Sequence, residues 1–227
     1  MNVTLLQHTP EPELTVALAA RLCYSPASIL ELRQKLTAAD IESFLDKIMS
    51  LGHLSVLEHV SFTFGVEGIS RATSHQLVRH RLASYSQQSQ RYVSLRDSFE
   101  TVVPATIANE PALKERFEGM LADIHACYAE MVAAGVPAED ARYILPNAAA
   151  TKILVTMNAR ELRHFFELRC CERAQWEIRA MASEMLQQVK NIAPVIFRNA
   201  GPGCIAGPCP EGTLTCGKII EVRSRFR

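Results

Sequence analysis

At 227 residues the chain has room for one domain of ordinary size with a sizeable core, and a content of 48% hydrophobic and 21% charged residues excludes a disordered or fibrous protein. Lysine plus arginine balance aspartate plus glutamate, 24 against 24, so no overall field recruits nucleic acid or an anionic membrane, and any anion site has to be local. No apolar run approaches the roughly 18 residues of a membrane span, the opening MNVTLLQHTPEPE lacks a basic start and an apolar stretch, and seven cysteines without a paired framework suit a reducing compartment, so a cytoplasmic location is expected.

In chain order, residues 2–7 read as a strand, and 13–23 carry Leu14, Leu18, Ala19 and Leu22 at helical spacing. Thr37 followed by Asp40 resembles a capping box, opening a helix with the stripe Ile41, Phe44, Leu45 and Ile48 that stops near Gly52. Residues 59–66 alternate Val60, Phe62, Phe64 and Val66 at period two, as a half-buried strand does. A helix over about 70–81 is predicted next, then an irregular or extended stretch over 82–95.

Asn109 and Pro111 start a long helix that Gly135 stops; Leu113, Phe117, Met120, Leu121, Ile124, Tyr128 and Met131 share a face, which reads as core. A helix over 138–145 ending at Pro146, a buried strand over 150–157, and helices over 158–169 and 174–190 follow. From Asn199 glycine and proline make the chain loop-like. The expectation is a single α+β domain, 1–198, with 199–227 as a loop-rich C-terminal extension of it.

The densest chemistry lies in RHRLASYSQQSQRY, residues 79–92. Arg79, His80, Arg81 and Arg91 offer guanidinium forks for phosphate oxygens, and Gln87, Gln88, Ser89 and Gln90 offer neutral donors and acceptors for a heterocycle. If the helix runs to residue 81, Gln76 and Arg79 share a face. The plainer alternative is cations at a helix C-terminus followed by a solvated loop. Ser89 as a nucleophile would need a base, and none is evident, so hydrogen bonding is its expected role.

On the helix over 158–169, Leu162, Phe165 and Phe166 define an apolar face and Arg169 falls within it. A guanidinium cannot lose its charge, so there it must meet an acceptor: a ligand, an internal carboxylate, or water reached past a packed stem. Cys204, Cys209 and Cys216 have spacings unlike the usual zinc pairs, with no fourth ligand in the tail, and no metal is expected. No glycine-rich dinucleotide fingerprint follows a strand.

RHR, seven residues, then serine resembles the signature of the flavin-dependent thymidylate synthases, here Arg79, His80, Arg81 and Ser89. GHLSVLEH at 52–59, RYILP at 142–146, NARELRHFFELR at 158–169 and AQWEI at 174–178 fit that family in order and spacing. Ser86 departs from a commoner form of the motif, which has asparagine there, and Gln87 stands where some members have glutamate.

The resemblance implies helices around a small antiparallel or mixed sheet, assembled as a homotetramer with sites shared between subunits. It implies reductive methylation of dUMP to dTMP with 5,10-methylenetetrahydrofolate as carbon donor and FAD reduced by NADPH. By the same likeness Gln76, Arg79, Gln87, Gln88, Ser89, Gln90, Arg91, Arg142 and Arg169 contact dUMP, with Arg169 catalytic against the pyrimidine. His53, Ser55, Glu58, Arg79, His80, Arg81, Gln87, Asn158, Arg160 and His164 contact FAD. Two other classes compete on residue types: a non-catalytic nucleotide-sensing module using the same arginines without flavin, and a helical nucleic-acid binder, against which the zero net charge counts.

Overall fold

The computed structural model describes residues 1–95 and 99–226. Four strands, β1 (Asn2–His8), β2 (Ser61–Ser70), β3 (Ala83–Gln87) and β4 (Ala150–Asn158), form one sheet in the order β1-β2-β4-β3. The pairing is antiparallel: Thr9 N donates to the Ser61 carbonyl at 3.0 Å while Gly68 lies against Met1, and Thr63 meets Thr156 at 2.9 Å while Arg71 N donates to the Ala149 carbonyl at 3.0 Å. Phe62, Phe64 and Val66 are buried at alternate positions of β2, as the period-two pattern requires. The strand predicted over 150–157 forms as β4, and it alternates, with Thr151, Ile153, Val155 and Met157 buried and Lys152 and Leu154 exposed.

The fold is α+β, and the chain clusters into two compact units. The first comprises Met1–Asn2, Val66–Arg79 and Tyr85–Leu154. It holds α4 (Arg71–Leu77), α5 (Ala105–Ala108), α6 (Pro111–Ala133) and α7 (Ala138–Ala141). Ser70 caps α4 by accepting from Thr73 N at 3.1 Å. The helix stops at Leu77, short of the predicted residue 81, and the Tyr85 hydroxyl donates to the carbonyl of Leu77 at 2.9 Å. The chain then extends into β3, within the stretch expected to be irregular or extended, so Arg79–Arg81 lie beyond the helix and Gln76 and Arg79 share no helical face.

Proline in the first turn of α6 and Gly135 at φ +90° just past its end set its limits as predicted. Its apolar stripe is not core within this chain. Tyr128 is buried, but Leu113 and Met120 are 56% and 55% exposed. Apolar spacing marks a face that needs covering and says nothing about what covers it.

The second unit comprises Val3–Gly65, His80–Ser84 and Val155–Arg227. It holds α1 (Pro12–Leu22), α2 (Ile29–Lys35), α3 (Ala38–Ser50), α8 (Ala159–Arg169), α9 (Trp176–Ile192), α10 (Pro194–Phe197) and α11 (Ile219–Phe226). The Thr37–Asp40 capping box forms with both bonds, and Gly52 takes the left-handed conformation after α3. The core is built on Phe62, Phe165, Phe166 and Phe197, packed edge to face at 5.5–6.0 Å, with Leu45, Leu57, Leu162, Met181 and Met185 around them. Gln188 of α9 accepts from Leu5 N at 2.6 Å and donates to the Val3 carbonyl at 2.8 Å, which satisfies backbone groups of the edge strand β1.

Three helices of this unit escape the sequence reading: α2, the four-residue α10 and α11. α2 opens with a second capping box, Ser28 and Glu31, a signal present in the sequence but borne by a helix of only seven residues. α11 lies in the tail read as loop, and Val222 and Phe226 are its buried positions. No helix among the described residues is long and apolar enough to cross a membrane.

Candidate active site

In the second unit the chemistry gathers around the first and last turns of α8. Asn158 caps the helix, its Oδ1 accepting from Glu161 N at 2.8 Å. Glu161 is 6% exposed and its Oε1 lies 3.0 Å from Nδ1 of His80, itself 5% exposed. Nε2 of the same ring accepts from Nε of Arg169 at 3.1 Å. Burial is the main cause that lowers the His80 pKa, aided by the Arg169 charge and by His164 and opposed by Glu161, so the imidazole is held neutral. One acceptor for the half-buried Arg169 is therefore a ring nitrogen, and Glu161, behind that ring, is a candidate that the sequence reading missed. Glutamate at the third helical position reads as a routine first-turn anion, and only its inward orientation distinguishes it.

Alongside lies a cavity of about 620 Å³ lined by Glu58, Asn158, Arg160, Glu161, Arg163 and His164, with Leu54, Leu82 and the tail segment from Asn199 to Ala206. Arg160 pairs with Glu58 at 2.5 Å. Burial lowers the pKa of Arg163, whose guanidinium donates to the Ile196 carbonyl at 2.5 Å. A second cavity of about 390 Å³ shares Leu54 and Arg160 with the first and takes in His53 and Ser55. The structure thus brings together His53, Ser55, Glu58, Asn158, Arg160 and His164, while His80 joins them through Glu161. Arg81 is exposed and lines neither cavity.

In the first unit two arginines converge on Glu139. Arg91 Nε lies 2.6 Å from Glu139 Oε2, and Arg142 Nε donates to the Glu139 carbonyl at 3.1 Å. Arg71, which the sequence reading passed over as the start of a helix, has its pKa lowered by burial and by the charge of Arg142. Ser89 Oγ accepts from Arg91 N at 3.1 Å, which fixes the turn. Gln87 points inward: its Nε2 donates to Ser74 Oγ at 3.0 Å and to Thr151 Oγ1 at 3.2 Å. Gln76 Nε2 donates to the Ala72 carbonyl at 3.3 Å. Gln88 N donates to the Lys152 carbonyl, while Gln90 is half-buried and Arg79 exposed.

Cys204, Cys209 and Cys216 line a cavity of about 350 Å³ together with Cys171 from the turn after α8. Among the described residues no group of three or more histidine, cysteine, aspartate and glutamate side chains is arranged to hold a metal ion.

Residues 4–195 match the family described as thymidylate synthase complementing protein. The chain is 66% identical over 228 residues to the flavin-dependent thymidylate synthase of Geobacter sulfurreducens, covering 100% of this chain and 98% of the relative. Against the protein of the same description from Clostridium tetani the identity is 47%, covering 100% and 97%, and against that of Pyrococcus furiosus 46%, covering 94% and 91%. With the match spanning most of the sequence, the chain belongs to the thymidylate synthase complementing protein family.

Proposed function

We propose that this chain catalyses flavin-dependent synthesis of thymidylate, carrying carbon from 5,10-methylenetetrahydrofolate to C5 of dUMP with FAD that NADPH has reduced. The observation that carries the reading is the 66% identity, over the full chain, to a protein named for that activity. The neutral His80 holding Arg169 adds a physical reason.

FAD fits the residues of the second unit. Arg160 supplies a cation for a diphosphate, Leu54, Leu82 and Ile205 supply apolar wall, and Asn158, Glu58 and His164 supply polar partners for hydroxyls and ring edges. His53 and Ser55 extend that set, and Arg79, His80, Arg81 and Gln87 complete the flavin contacts proposed. Bound and reduced, the cofactor supplies the hydride chemistry that turns the transferred carbon into a methyl group.

The protein's part is placement and charge. Arg79, Arg91 and Arg142 hold the dUMP phosphate and sugar, and Gln76, Gln87, Gln88, Ser89 and Gln90 address the nucleotide by hydrogen bonds. Arg169 lies against the pyrimidine and stabilises negative charge on the ring, with the contact to His80 holding its guanidinium without neutralising it. Ser89 has no nucleophilic role.

Assembly as a homotetramer with sites shared between subunits supplies a cover for the apolar face of α6, where Leu113 and Met120 stand more than half exposed. The proposed location is the cytoplasm.

Anaerobic mixing of FAD-loaded protein with NADPH, dUMP and methylenetetrahydrofolate should give dTMP on chromatography. Folded, flavin-bound protein that makes none would overturn the assignment. Protein that binds dUMP but takes up no flavin would favour a nucleotide-sensing module instead.

A further inference from the structure

We propose that Glu161 is a positioning residue for Arg169, acting through the His80 ring, whose tautomer it fixes. The inference rests on the role given to Arg169 above.

A guanidinium has donors only, so the bond from Arg169 Nε to His80 Nε2 at 3.1 Å requires a lone pair on Nε2. In a neutral ring the proton then sits on Nδ1, and there it meets Glu161 Oε1 at 3.0 Å. A carboxylate is the partner that enforces this arrangement, because it can only accept. An amide in its place could donate to Nδ1, move the proton to Nε2, and set two donors against each other at Arg169.

The ring has little room to escape. It stands edge-on to Phe165 at 5.0 Å and to His164 at 5.9 Å between centroids, and both Glu161 and His80 are buried. Asn158 fixes the turn from which Glu161 projects. Glu161 and Arg169 lie eight residues apart on α8, a rise of about 12 Å. His80 spans that gap, so the carboxylate orients the guanidinium from a distance.

Protonation of His80 would fill Nε2 and end its hold on Arg169. Among the described residues, the charged and titratable groups acting on the ring include Glu161, Arg169 and His164. Of these Glu161 favours the protonated ring while Arg169 and His164 oppose it, so removing the carboxylate makes His80 harder to protonate.

The test compares wild type, Glu161→Ala and Glu161→Gln as FAD-loaded proteins. Expected for Glu161→Ala is a fall of about 10- to 100-fold in kcat/KM for dUMP with flavin still bound, the scale seen when a residue orienting a functional group is lost. The acid limb of the kcat/KM profile should also move to lower pH in both variants, a change that mere loss of packing would not cause. If Glu161→Ala does not fold, the near-isosteric Glu161→Gln decides alone. Wild-type turnover with the variant's kcat/KM and acid limb both unchanged would sink this inference and spare the functional reading, whereas no dTMP from wild type would sink both.

Discussion

Arg91 and Glu139 form an ion pair at 2.6 Å, and the Glu139 backbone carbonyl accepts from Arg142, so one residue ties together two arginines far apart in the sequence. The pair is about half exposed on both sides. Its loss should therefore cost under about 1 kcal/mol of stability. For a phosphate dianion, however, Glu139 is a competitor for Arg91. Glu139→Gln should lower the KM for dUMP a few-fold and steepen its salt dependence, and Arg91→Ala should raise it. Steady-state kinetics at two ionic strengths decides, and a Glu139→Gln enzyme with raised KM would count against Arg91 as a phosphate ligand.

Arg169→Ala should cut dTMP formation by about 100-fold or more, the range for losing one preorganised charge-stabilising donor. Flavin content, read from its visible absorbance, should stay near wild type. Retained turnover would remove the role given to this arginine.

Gln87 serves two buried hydroxyls, those of Ser74 and Thr151. Gln87→Ala removes that donor from a closed environment and should cost about 1–3 kcal/mol in chemical denaturation. Stability within a few tenths of a kcal/mol of wild type would show that the amide is dispensable to the fold.

Asn158→Ala deletes the cap of α8 and should lower stability by about 1 kcal/mol, while Asn158→Asp, which caps equally well and suits the helix dipole, should keep it. A matched pair of thermal melts distinguishes them. Equal loss in both variants would mean that the side chain matters for something other than capping.

Burial pushes the Cys170 thiol up to about 12 from an ordinary value of 9.0. Between those values the unfolded chain releases this proton and the folded chain keeps it, so the folded state loses stability as pH rises, by up to about 1.4 kcal/mol per pH unit. Cys170→Ala should flatten the decline of stability above pH 9. At pH 8 Cys170 should resist alkylation in the native protein while the exposed Cys23 reacts, as mass spectrometry of labelled peptides would show.

Several local signals are read correctly. Proline at the start of α6 and Gly135 at its end, the Thr37–Asp40 box and the alternation in β2 each depend on a few adjacent residues. The motif Arg79, His80, Arg81 and Ser89 pointed to the family in the same way, by spelling. Local reading failed where the outcome depended on distant chain. α4 ends early as Tyr85 returns to its last carbonyl, and the stripe of α6 is apolar without being buried in this chain.

What the sequence by itself determined was the family, because the motif fixes residue types at fixed spacing. Only the tertiary structure decided what each side chain does: that Arg169 rests on an imidazole, that Glu161 stands behind it, and that Glu139 sits among the arginines. Hydrogen bonds are satisfied by whichever group folding brings within about 3 Å, and contacts such as His80 to Glu161, 81 residues apart in the chain, leave no periodic trace in the letters.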